Sequence, residues 1–110
     1  MANRLPTISS HVLDTARGEP VARLSIAVSR VERDGTETAV ATVMTDADGR
    51  IADLLGRPLE AGTYRLRFLT GERSTFFAAV AVDIVVDDVE RGYHVPLLLS
   101  PYGLSTYLGS

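Results

Sequence analysis

Four residues of this chain carry side chains suited to chemistry: His11, Arg50, His94 and Tyr107. Only two histidines are present, and imidazole is the side chain whose ordinary titration range lets it take up a proton near neutral pH. A guanidinium adds a planar, permanently charged fork of donors. A phenol adds a neutral donor. Together such groups suit the hydrolysis of a small, electron-poor, anion-forming ring. Each also has an ordinary reading, as a packed histidine, a solvated surface arginine or an amphipathic interface tyrosine. Their combination is what points to chemistry.

His94 and Tyr107 fall in a predicted hairpin. Ser100-Pro101-Tyr102-Gly103 matches a type I turn, with proline presetting φ at the second position and serine and glycine at the first and fourth. Residues 95–99 and 104–108 then pair as antiparallel strands. If Ser100 faces Gly103, Pro96 lies opposite Tyr107 and His94 opposite Gly109. Strict alternation places His94, Pro96 and Leu98 on one face with Ser105, Tyr107 and Gly109. Leu104, Thr106 and Leu108 face the other way. His11 sits in the alternating stretch Ile8-Ser9-Ser10-His11-Val12-Leu13-Asp14, and Arg50 follows an Asp48-Gly49 turn.

Other constellations are excluded on spacing. Asp46-Ala47-Asp48-Gly49 begins like a calcium loop, but its twelfth position is Arg57 instead of glutamate, so it reads as a turn. Two histidines without a third ligand nearby do not specify zinc, and no metal is expected. Ser9 and Ser10 adjoin His11 in sequence, yet neighbours on a strand point to opposite faces, so no nucleophilic triad follows. Cysteine is absent, which removes disulfides, thiolate metal sites and thiol nucleophiles. A net charge of -3 with acids and bases interspersed leaves no basic footprint for nucleic acid. No apolar run approaches the length needed to cross a bilayer. The expectation is a cytoplasmic protein without nucleic-acid or membrane partners.

The elements that must hold these residues are strands. Leu24, Ile26 and Val28 alternate with Arg23, Ser25 and Ser29, and Tyr64, Leu66 and Phe68 alternate with Thr63, Arg65 and Arg67. Val80 to Val86 alternates around Asp83. Turn signals at Arg17-Gly18, Asp34-Gly35, Asp48-Gly49, Gly56-Arg57-Pro58 and Ala61-Gly62 separate the runs. Short strands with such punctuation predict an all-β sandwich of two antiparallel sheets. Residues 71–79 form the one segment where a short helix fits. The whole chain, 110 residues, reads as one domain with residues 1–7 flexible. At this size a site belongs on the surface or between subunits.

Three stretches, Ser10-His11-Val12-Leu13-Asp14-Thr15-Ala16-Arg17-Gly18, Thr45-Asp46-Ala47-Asp48-Gly49-Arg50 and the segment from Tyr93 to Ser110, together resemble the 5-hydroxyisourate hydrolases. These are transthyretin-related enzymes of purine catabolism. The resemblance runs from about residue 8 to residue 110 with the motifs in order. It implies a transthyretin-like sandwich of two four-stranded sheets, assembled as a homotetramer whose dimer–dimer channel holds the active sites. The implied reaction is water attack on a ring amide of 5-hydroxyisourate, giving 2-oxo-4-hydroxy-4-carboxy-5-ureidoimidazoline on the way to allantoin, with no metal or organic cofactor. By the same resemblance His11, Arg50, His94 and Ser110 are catalytic, and His11, Arg50 and Tyr107 contact the substrate.

Two positions depart from the family pattern. Its closing Tyr-Arg-Gly-Ser is here Tyr107-Leu108-Gly109-Ser110, and Leu104 stands where tyrosine is common. The register turns both leucines away from His94, so Leu108 is expected to alter packing or assembly before catalysis. The alternatives are a transthyretin-like carrier of a small ligand and a catalytically altered homologue.

Overall fold

In the computed structural model, which describes residues 5–110, the alternating runs become the strands of two packed sheets. One sheet is formed by β3 (Ser25–Val31), β4 (Glu37–Met44), β6 (Gly62–Phe68) and β7 (Val80–Val86) in the order β4-β3-β6-β7, all antiparallel. Its inward set is the predicted one. Ile26, Val28, Tyr64, Leu66 and Phe68 are buried, while Arg65 and Arg67 face out. On that outer face Glu37 accepts from both arginines and from Ser29, and these bonds, led by Arg67, hold its carboxyl down at about 2.

The second sheet is built around β1 (Ile8–Asp14) and differs from the expectation of four antiparallel strands. Its partners are short: β2 (Glu19–Pro20), β5 (Arg50–Ile51), β8 (Tyr93–His94) and β9 (Leu97–Leu99), with β10 (Leu104–Thr106) completing the hairpin on β9. β2 and β5 run antiparallel to β1, but β8 and β9 run parallel to it. The reason is connectivity. The chain reaches β8 by crossing from β7 in the other sheet, so it enters alongside β1 in the same direction instead of returning from it through a tight turn.

Ile8, Val12 and Leu97 of this sheet are completely buried against Ile26, Leu66 and Phe68 of the other. Full burial of such a side chain is worth about 1.5–3 kcal/mol relative to exposure. This packing fixes which face of β1 points outward. Residues 71–79 hold no α-helix: a single 3₁₀ turn spans Thr70–Glu72. The segment is tied instead by side chains, with the Thr70 hydroxyl donating to the Phe77 carbonyl and Ser74 Oγ accepting the amides of Phe76 and Phe77. Among the described residues no helix is long and apolar enough to cross a membrane.

Candidate active site

Because Ile8, Ser10 and Val12 are buried, alternation turns Ser9 and His11 to the outer face of β1. Arg50 on β5 is the register partner of His11, and His94 on β8 is the partner of Ser9. Laterally paired residues share a face. Ser9, His11, Arg50 and His94, scattered over 86 positions of sequence, therefore form one polar patch.

A surface hollow of about 760 Å³ opens there, lined by Ser9, Arg50, Arg91, His94, Gly109 and Ser110. That is within the range of sites for small molecules, roughly 300–1,000 Å³. His11 flanks the hollow beside Arg50.

The Asp-Gly-Arg turn is what fixes Arg50. Asp46 Oδ1 accepts the amides of Asp48 and Arg50, each at 2.9 Å, and the Asp46 carbonyl accepts the Gly49 amide at 3.0 Å. Gly49 sits at φ +74°, and a Cβ there would lie 2.5 Å from the Val12 carbonyl oxygen. Glycine is required on both counts. Thr45, just before the turn and buried, accepts the Leu24 amide and donates to the Val21 carbonyl. Asp46 and Asp48 thus organise a turn. Among the described residues no cluster of three or more metal-ligating side chains is present.

The same turn orients His11, whose Nε2–H donates to the Asp48 carbonyl at 3.0 Å. A carbonyl can only accept, so the neutral ring carries its proton on Nε2 and keeps its lone pair on Nδ1. His94 is tethered by the opposite nitrogen: its Nδ1 lies 2.9 Å from Ser9 Oγ. Its backbone carbonyl accepts the Gly109 amide at 2.7 Å, the bridge that the hairpin register predicts. Burial, and then the nearby charges of Arg50 and His11, lower its pKa below the ordinary imidazole value. Both effects favour the neutral ring.

Tyr107 is not brought into this hollow. The hairpin register holds for Leu97–Leu99 against Leu104–Thr106 and again at His94 against Gly109, but the ladder breaks between them. Pro96, facing Tyr107 in that register, has no N–H to donate. The chain is irregular there, and Tyr107 and Leu108 both turn to a separate apolar hollow of about 310 Å³ with Val82, Ile84 and Val85. The expected separation of Leu108 from His94 is observed. The expected sharing of a face by Tyr107 and His94 is not.

Ser9 is the residue that sequence reasoning passed over. Nothing local marks it, since its partner arrives through a parallel pairing 85 residues away.

Residues 8–109 match the model of the transthyretin family, described as HIUase/Transthyretin. The chain belongs to this family. It is 41% identical over 114 residues to a 5-hydroxyisourate hydrolase of Caulobacter vibrioides, covering 94% of this chain and 97% of that protein. Among solved structures, a 5-hydroxyisourate hydrolase of Klebsiella pneumoniae superposes with a TM-score of 0.83 at 34% identity, covering 96% of this chain and all of that one. Sea bream transthyretin in complex with thyroxine superposes with a TM-score of 0.85 at 31% identity, each chain covered to 93%. The fold is thus shared by a hydrolase and a protein that binds thyroxine.

Proposed function

We propose that the chain is a 5-hydroxyisourate hydrolase working from the hollow lined by Arg50 and His94, with His11 on the same outer face as the register partner of Arg50. The observation that carries this reading is the convergence of two differently tethered imidazoles and a turn-fixed guanidinium on one outer face. A neutral imidazole accepts a proton from water, and a guanidinium offers paired donors to electron-rich oxygens.

In this mechanism the substrate's carbonyl oxygens lie against Arg50. Water gives a proton to His94 Nε2 as its oxygen bonds to the ring carbonyl carbon. The carbon–nitrogen bond of the amide then breaks, the leaving nitrogen takes the proton from His94, and the carbonyl carbon, still bonded to the rest of the molecule, becomes the carboxyl group of the product. His11 Nδ1 holds a lone pair for the same water or for a substrate N–H. Ser110, exposed at the rim, adds a hydroxyl that can fix the ring. Within one chain Tyr107 takes no part.

A homotetramer with its sites between subunits completes the reading. A hollow at the surface of one chain needs a second wall to exclude water.

The test is direct. Urate oxidase generates 5-hydroxyisourate from urate, and its ultraviolet absorbance is followed with and without the protein. Decay well above the spontaneous rate is expected. Decay at the spontaneous rate overturns the hydrolase reading in favour of a carrier.

A further inference from the structure

We infer that Ser9 is a positioning residue for His94, its hydroxyl selecting which ring nitrogen is left to take a proton. The inference rests on the reading of His94 as the base.

The imidazole is held on two sides. Ser9 Oγ lies 2.9 Å from Nδ1. On the opposite side Gly109 packs so closely that a Cβ there would come within 2.7 Å of His94 Cδ2. Nδ1 and Cδ2 flank the ring's attachment point, so the edge left between these contacts is Cε1–Nε2. Nε2 can accept a proton from water only if the neutral ring carries its hydrogen on Nδ1, and that tautomer needs an acceptor at Nδ1. Ser9 Oγ, a hydroxyl able to accept as well as donate, stands where that acceptor is needed. Among the described residues it makes no other side-chain hydrogen bond. Once Nε2 is protonated, the same bond becomes charge-assisted and strengthens, which favours the imidazolium formed during the reaction. A hydroxyl does this without a standing negative charge, so the resting ring stays neutral.

Ser10 shows that this is a property of position. It is buried at 1% exposure, and its hydroxyl is committed to the Val95 carbonyl at 2.7 Å. One serine holds the junction of β1 with the segment after β8, while its neighbour faces the hollow.

The experiment combines a mutant cycle with a spectroscopic readout. Ser9→Ala is expected to lower kcat about tenfold, part of the roughly 10²–10⁴-fold that a general base supplies, with KM changed less than about twofold. Ser9→Thr, which keeps a hydroxyl, should restore kcat to within about threefold. In a His94→Ala background, Ser9→Ala should cost nothing further, because its effect passes through the imidazole.

With two histidines in the chain, the imidazole ¹⁵N spectrum is readily assigned. It should show His94 protonated on Nδ1 in the parent and mixed with the Nε2–H form in Ser9→Ala. Additive losses in the cycle, or an unchanged tautomer, would overturn the proposal. So would a covalent ester on Ser9 seen by mass spectrometry, since that makes it a nucleophile. Full activity of His94→Ala would instead sink the assignment of the base, and the tautomer measurement alone would then decide the role of Ser9.

Discussion

His94 is the residue whose environment makes the sharpest demand. Burial first, then the charges of Arg50 and His11, disfavour its cation, so its folded pKa lies below the unfolded value of about 6.5. The acid limb of kcat/KM should therefore have its midpoint below 6.5, and a limb centred above 6.5 would contradict the burial argument. Stability follows with a definite sign. Between the folded and unfolded values the unfolded chain binds more protons, so the contribution is intact above about pH 6.5 and is lost as pH falls from there to the folded value. Thermal melts from pH 7.5 to 5.5 should show a smaller decline for His94→Asn than for the parent.

His11→Ala and His94→Ala should each lower kcat/KM by about 10²–10⁴-fold. Arg50→Lys should lose roughly as much as removing a bidentate partner, because one ammonium cannot reproduce a planar fork. Near-parental rates for all three would refute the site. These three residues were legible in the sequence because histidines are scarce and the Asp-Gly-Arg turn is self-contained. Ser9 was not, since a hydroxyl acquires meaning only from its partner.

At the scale of elements, the closing hairpin shows how far a register argument carries. The chain reverses where predicted, with the Ser100 amide donating to the Gly103 carbonyl at 2.9 Å, the hairpin bond instead of the type I turn bond in the opposite direction. Pairing is correct both next to the turn and at the far end. Alternation failed only where Pro96 interrupts the ladder, which turned Tyr107 to the wrong side for His94. The Gly109 contact follows from the same geometry. Gly109→Ala should displace the His94 ring, lowering kcat by about tenfold while leaving the sheet intact by circular dichroism. Parental kcat would show that the ring tolerates the 2.7 Å approach. Leu108→Arg tests the other face. Its side chain lies with Val82, Ile84 and Val85, so the substitution should change kcat by no more than a few-fold and act instead on the melting temperature or assembly. A gain of several powers of ten would mean that position 108 reaches the substrate after all.

For the whole molecule, the sandwich could be read from sequence because β3, β6 and β7 each alternate with period two, and burying one face of each requires a second layer. The parallel course of β8 and β9 beside β1 could not, because periodicity reveals which face is buried and is silent on the neighbour. The packing also leaves an apolar edge uncovered. β7 and β10 are edge strands, and beside them Val85, Leu108 and Tyr107 remain 68%, 56% and 53% exposed. Unpaired backbone beside an apolar patch is a surface that proteins cover, and a second copy meeting edge to edge would cover it symmetrically. Sedimentation velocity at micromolar concentration is expected to give a mass four times the 11.8 kDa chain. Val85→Glu, which places a charge in that patch, should yield smaller species that keep their β signature. If the site depends on a wall from a neighbouring copy, kcat/KM should fall in step with dissociation. A parent that sediments as a monomer with full activity would show instead that each chain closes its own site.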